Sequence, residues 1–95
     1  MPPLIISTAI RVKLDVKHNV SENEIQQCFF NQEGISIEDD REDHRTDPAT
    51  WWFISQTNQC RTLKVIFVLK DGNIHIKSAY EASAKDIAIY EEKNS

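Results

Sequence analysis

The dipeptide Asp71-Gly72 lies between two stretches of alternating apolar residues, and this pattern restricts the fold more than any other feature of the chain. Apolar side chains occupy every second position over residues 63–69, and the alternation resumes over residues 74–78. A two-residue turn of type I′ needs positive φ, which Gly adopts freely and Asp tolerates. The sequence therefore predicts two antiparallel strands joined by a tight hairpin.

Two further strand-like stretches precede this hairpin. Residues 51–56 alternate with a period near two, which places Trp51 and Trp52 on opposite faces of a strand, and residues 35–37 can begin another strand. The strand over residues 63–69 is apolar on both faces. We therefore expect it to be covered on both sides.

Three segments favour helices. Ser21 and Glu24 have the spacing of a capping box before a helix over residues 22–32, with Gly34 as its stop, and Ser83 opens a last helix in which Ala84, Ile87, Ala88 and Glu91 share a face. Residues 7–18 are ambiguous, because their apolar positions fit both a strand and a helix. A helix ended by Asn19 is favoured there.

These elements predict one α+β domain over residues 1–95. It consists of a small antiparallel sheet of about four strands packed with N-terminal helices and a C-terminal helix. The chain has 95 residues, which is enough for one hydrophobic core and too few for two.

Net charge and targeting signals bear on location and partners. No apolar run approaches the ~20 residues of a membrane span, and the N-terminus lacks a basic region, so we expect a cytoplasmic protein without a membrane partner. The net charge of −4 argues at first against nucleic acid. Residues 38–47, however, hold six acids and two arginines, which leaves the rest of the chain neutral. A basic face elsewhere is therefore compatible with the sequence.

Several short segments between residues 11 and 92 follow one another in a characteristic order. They are Arg11, Lys17-His18-Asn19-Val20-Ser21 with Glu24-Ile25, Glu38-Asp39-Asp40-Arg41, Arg61-Thr62-Leu63-Lys64-Val65, Ile76-Lys77-Ser78-Ala79-Tyr80-Glu81-Ala82 and Tyr90-Glu91-Glu92. In order and spacing this set resembles the BrnT family of toxins. The chain departs from the family in lacking its opening WDP, in having Tyr80 for an arginine, and in having Cys60 for the glycine before Arg61.

The resemblance implies a compact RelE-like fold and the toxin role of a type II toxin–antitoxin system. It also implies RNA cleavage in the cytoplasm and neutralisation by a small antitoxin protein.

RNA cleavage without a metal needs a base, an acid and cations around the phosphate. His44, Arg61 and Tyr80 are the candidate catalytic residues, with Arg61 as the leading phosphate contact. The candidate RNA-binding residues are Arg41, Arg45, Lys64 and His75. The alternative for each is a structural role: a solvated loop for His44, an exposed strand position for His75, and core packing for Tyr80. His18, expected at a helix end, is assigned a structural role, with catalysis as its alternative.

Trp51 and Trp52 are the candidate partner-binding residues. One of them should belong to the core, and the other could stack on a base or lie under an antitoxin or a second copy of the chain. The sequence is compatible with a homo-oligomer.

Metal and thiol chemistry have weaker support. Asp39, Asp40, Asp43, His44 and Asp47 could offer ligands to a divalent cation, but two arginines intervene and no Gly stands at an EF-hand position. Cys28 lies on an apolar helix face and Cys60 in a turn, and neither has zinc-ligand spacing. We therefore predict no cofactor and no metal. The rival to the toxin hypothesis is a RelE-like protein-binding module without catalytic activity.

Overall fold

A computed structural model of the chain describes residues 2–39 and 48–95. The strands are β1 (Leu4–Ile5), β2 (Ile37–Glu38), β3 (Thr50–Gln56), β4 (Thr62–Lys70) and β5 (Asn73–Glu81). The helices are α1 (Thr8–Lys13), which continues as a π-helical segment (Leu14–His18), α2 (Glu22–Phe30) and α3 (Ala84–Lys93). The predicted α+β class is confirmed. No helix within the described ranges is long and apolar enough to cross a membrane.

The predicted hairpin joins β4 to β5. Asp71 and Gly72 have φ values of 55° and 77°, the positive values that a type I′ turn requires. The sheet order is β1-β5-β4-β3-β2, so β4 lies at its centre. Phe29 of α2 packs against Phe53 and Phe67 on one face, and Tyr90 of α3 packs against Trp52 on the other. The central strand is therefore covered on both sides, as expected from its two apolar faces.

The sheet differs from the predicted antiparallel sheet of about four strands in having a fifth, parallel strand. Leu4 and Ile5 of β1 pair with Ile74 and His75 of β5. Two residues are too few to show a period, so the sequence carried no signal for this strand. The β4–β5 register also shifts, because Ser78 pairs with Ile66 while Ile76 pairs with Phe67. Lys77 is therefore the extra residue of a β-bulge.

The N-terminal helices begin and end largely where their caps predict. Ser7 caps α1, and Asn19 ends the π-helical segment with a φ of 51°, so the favoured helix over residues 7–18 is confirmed. The Ser21–Glu24 capping box is present. Helix α2 ends two residues earlier than predicted, at a cap formed by Asn31.

Gly34 therefore has a packing role instead of the predicted role as a helix stop. A Cβ atom at this position would lie 2.6 Å from Tyr90 Oη and 2.6 Å from Asn94 Oδ1. The segment after α2 thus passes close to α3, which only Gly permits.

Helix α3 begins after Ser83 as predicted, and it packs on the sheet through residues other than Ala84 and Ala88. Ala84 and Ala88 are exposed, whereas Tyr90 is buried and Asp86 is half-buried. The capping box of Ser83 and Asp86 forms as predicted. Asp86 and Tyr90 lie one turn apart, and both contact the cluster around Trp52 and Lys64 on the sheet.

Cys60 has a left-handed backbone conformation, which glycine adopts more easily than any residue with a side chain. Its φ is 63°, in the left-handed region where a side chain costs about 1 kcal/mol or more. We expect Cys60→Gly to raise the free energy of unfolding by about 0.5–1 kcal/mol in urea denaturation. The neighbouring Gln59 does not have positive φ, so Gln59→Gly should lower stability instead. A loss of stability in the Cys60 variant would contradict the strain argument.

Candidate functional site

Arg61, the leading phosphate contact predicted from the sequence, is held by the turn between β3 and β4. The Thr57 backbone N–H donates to the Arg61 carbonyl at 2.9 Å, and the Arg61 N–H donates to Thr57 Oγ1 at 3.1 Å. The Thr57 side chain is buried within this turn. These bonds direct the Arg61 side chain from the sheet towards the N-terminal helices.

The guanidinium group of Arg61 joins the sheet to both N-terminal helical segments. It donates to Glu24 Oε2 at 3.0 Å and to Glu81 Oε1 at 3.0 Å, and it caps the carbonyls of Asn19 at 2.6 Å and His18 at 3.1 Å. Four of its five N–H groups are therefore engaged. The hydrogen bond to Glu24 raises the pKa of Arg61. Phosphate binding would require breaking this network, so Arg61 has a structural role in this conformation.

A second group of cationic residues lies beside the Arg61 network, at the edge of β5. Because β1 reaches only Ile74 and His75, the later part of β5 has no strand on that side among the described residues. The Nζ atom of Lys13 donates to the backbone carbonyl of Lys77 at 3.3 Å. The rings of His18 and Tyr80 lie with their centroids 5.4 Å apart. We call Lys13, Lys17, His18, Lys77 and Tyr80 the β5-edge cluster.

The electrostatics of this cluster favour a neutral imidazole. The pKa of His18 is lowered first by burial and then by the charges of Lys17 and Lys13. Since an ordinary histidine titrates near pH 6.5, His18 is mainly uncharged at neutral pH and can accept a proton. Lys17 and Lys77 are exposed. The cluster thus combines a candidate base with cations that solvent can reach.

The backbone around His18 is also unusual. Leu14–His18 form a π-helical segment, a rare conformation that is frequent at functional sites. The π-helical segment packs on β5 through the buried Leu14. This packing brings His18 to Tyr80 although 62 positions separate them in the sequence.

The remaining predicted residues do not contribute charged groups to this cluster. Lys64 pairs with Tyr80 across β4 and β5, but its ammonium group donates to Asp86 Oδ1 at 3.1 Å and lies 4.4 Å from the centre of the Trp52 ring. His75 pairs with Val68 near the start of β5, five residues before Tyr80. That separation corresponds to roughly 17 Å along a strand. Arg41, His44 and Arg45 lie outside the described residues, as does most of the proposed metal-ligand set.

The tryptophans and cysteines have mainly structural surroundings. Trp52 is buried and Trp51 is half-buried, so one tryptophan belongs to the core as expected. Burial raises the pKa of Cys28 to about 11, which leaves its thiol protonated at neutral pH. Cys60 is exposed in the turn before Arg61. Neither cysteine lies in a cluster of potential metal ligands within the described ranges.

Sequence reasoning did not identify Lys13, Lys17 and Lys77 as site residues. The only local signal was the Lys17-His18 pair, which the resemblance to the BrnT family includes. The grouping depends on the packing of the π-helical segment against β5.

In comparisons with protein-family models and with curated proteins, the chain matches none.

Proposed function

We propose that this chain is a BrnT-like toxin that contacts RNA through the β5-edge cluster. The observation that carries the proposal is the half-buried His18 ring against Tyr80, close enough to Lys13 and the exposed Lys17 for their charges to lower its pKa. The RelE-like fold and the type II toxin role rest on the ordered resemblance of segments between residues 11 and 92.

The chemistry that suits this cluster is attack of a ribose 2′-hydroxyl on the adjacent phosphate. His18 would take the 2′-hydroxyl proton, the 2′-oxygen would form a bond to phosphorus, and the bond to the 5′-oxygen would break. The lysine ammonium groups would stabilise charge on the phosphate oxygens. The Tyr80 hydroxyl is the candidate donor of the proton that the leaving 5′-oxygen takes up.

The position of Arg61 changes the role proposed for it. Its guanidinium group fixes the backbone carbonyls of His18 and Asn19, which sets the end of the π-helical segment. Arg61 is therefore proposed as a positioning residue for His18.

The electrostatic test compares two double charge reversals. Lys17→Glu with Lys77→Glu changes the β5-edge cluster, whereas Lys85→Glu with Lys93→Glu changes exposed lysines of α3 by the same net charge. With a fluorescein-labelled single-stranded RNA, we expect the first variant to bind at least about tenfold more weakly than the second. It should also show a smaller dependence of binding on salt, because fewer phosphate contacts form.

Two outcomes would count against RNA contact at this edge. One is equal weakening by both variants, which would indicate only a response to net charge. The other is no RNA binding by the wild-type protein at low salt.

A protein-binding module without catalysis is the second candidate. It is favoured by the large exposed apolar side chains, with Phe30 89% and Val16 79% exposed, and by the internal engagement of Arg61. Expression in bacteria distinguishes the two functions. Growth arrest with RNA loss that His18→Ala relieves supports the toxin, whereas harmless expression of a folded wild-type protein favours the binding module.

A further inference from the structure

A groove opens where β3 loses its neighbouring strand. Strand β2 pairs only with Trp51 and Trp52 of β3. Before β2 the chain turns away towards α3, and the Ile35 N–H donates to Asn94 Oδ1 at 2.8 Å. Residues 54–56 of β3 therefore have a strand partner on the β4 side alone within the described part of the chain.

The groove lies between the end of α2 and helix α3, with the edge of β3 between them. Its volume is ≈ 1110 Å³. Asn31 and Glu33 contribute to one wall and Tyr90 and Glu91 to the other, while residues 54–58 line the strand side. This site lies on the opposite sheet edge from the β5-edge cluster, because β3 and β5 flank the central strand β4.

Two buried hydroxyl groups that line the groove have no hydrogen-bond partner. They are Ser55 Oγ and Tyr90 Oη, on residues that are 8% and 9% exposed. Burial raises the pKa of Tyr90, and the nearby Gln32 amide and Ile54 backbone N–H oppose that rise without making a well-formed hydrogen bond. The Gln32 amide donates instead to the Gly34 carbonyl at 2.9 Å. Buried hydroxyls are normally satisfied, so these two are the unsatisfied polar groups of the groove wall.

The main chain of β3 also presents hydrogen-bonding groups to the groove. The carbonyl of Thr50 accepts from the Asp39 N–H, and that of Gln56 accepts from the Asn31 side-chain amide at 2.9 Å. The backbone N–H and C=O groups of the even-numbered residues of β3 therefore point away from β4. Thr57 points the other way and bonds Arg61. Of the groups on this side, the Ile54 carbonyl and the Gln56 N–H are the two that remain for a ligand in the groove, since the Gln56 carbonyl bonds Asn31 and the Ile54 N–H lies near Tyr90.

We propose that this groove binds an extended peptide with basic side chains, which adds as a strand to the β3 edge. Strand addition uses the Ile54 carbonyl and the Gln56 N–H, because the Gln56 carbonyl accepts from Asn31 and the Ile54 N–H lies near the Tyr90 hydroxyl. Neighbouring side chains select the peptide. Glu33 and Glu91 line the groove, and none of its described lining residues is basic. The negative charge of these two carboxylates therefore favours lysine or arginine side chains in the bound peptide. This site is separate from the RNA contact and does not depend on it.

A synthetic peptide in which valine and lysine alternate tests the proposal. We expect it to shift the backbone amide resonances of Ile54 and Gln56 in the full-length protein. Two control peptides should bind at least about tenfold more weakly: one with glutamate in place of lysine, and one with N-methyl groups that remove the backbone donors of one edge.

Matched protein variants separate local from overall charge. Glu33→Lys with Glu91→Lys should weaken binding of the lysine peptide by at least about tenfold, whereas Asp15→Lys with Glu92→Lys, at exposed positions outside the groove, should have little effect. Thermal denaturation of each variant checks that it is folded.

Several results would overturn the proposal: equal binding of the glutamate peptide, resonance shifts confined to other surfaces, or equal effects of the two double variants. So would concentration-dependent self-association that shifts the same resonances without peptide, since the edge would then pair with a second copy of the chain.

Discussion

Arg61→Ala is expected to lower the free energy of unfolding by about 2–3 kcal/mol, measured by urea denaturation at neutral pH. The substitution removes bonds to two carboxylates and to two helix-end carbonyls at once. The Arg61 side chain is 24% exposed and that of Glu81 is 70% exposed, so the contact with Glu81 adds little. Most of the effect should come from the half-buried Glu24 and from the uncapped carbonyls.

Arg11→Ala is the matched control for that experiment. Arg11 also forms an ion pair, with Glu22 at 2.8 Å, but its side chain is 57% exposed. An exposed pair contributes about 0–1 kcal/mol, so this variant should remain close to wild type. If Arg61→Ala were as stable as Arg11→Ala, the Arg61 network would not hold the helices to the sheet. The guanidinium group would then be available to a ligand after all.

Phe53→Ala should cost still more, about 3–5 kcal/mol in the same measurement. The Phe53 side chain is fully buried at 0% exposure, and its ring lies 4.7 Å from that of Phe29 and 6.1 Å from that of Phe67, centre to centre. Removing it leaves a cavity where α2 meets β3 and β4, because the surrounding backbone cannot collapse fully into the space. For a domain of this size such a loss approaches the whole stability.

Phe30→Ala provides the control, since the same chemical change occurs at a side chain that is 89% exposed. We expect it to alter stability by no more than about 0.5 kcal/mol. Similar losses in the two variants would mean that α2 does not pack on the sheet through the Phe29 face. Helix α2 would then contact the sheet through another face.

The capped helices and the hairpin could be predicted because their signals are local. Ser21 and Glu24, Ser83 and Asp86, and Asp71 and Gly72 each satisfy or permit a backbone conformation within a few residues. Strand β1 could not be predicted, because its two residues pair with a strand about 70 positions away. The residues through which α3 contacts the sheet could not be predicted either, because their partners Trp52 and Lys64 lie on strands distant in the sequence.

The candidate site was predicted only in part. The resemblance to BrnT toxins drew attention to Arg61 and Tyr80, and the structure places both near His18. Their surroundings differ, however, since Arg61 is paired with Glu24 and Glu81 while Tyr80 lies against the His18 ring at the edge of β5. Charge at a position can be read from the sequence, but whether an acidic side chain already neutralises it cannot.

By itself the sequence determined the hairpin, the helix caps and the apolar character of the central strand. Each depends on interactions between near neighbours or on the two-residue period of a strand. Tertiary structure alone decided that Arg61 pairs with Glu24 and Glu81, that Lys13 and Lys17 lie near His18, and that residues 54–56 of β3 pair only with β4 within the described residues. These features depend on distances between segments far apart in the chain, which are set by the packing of the helices against the sheet.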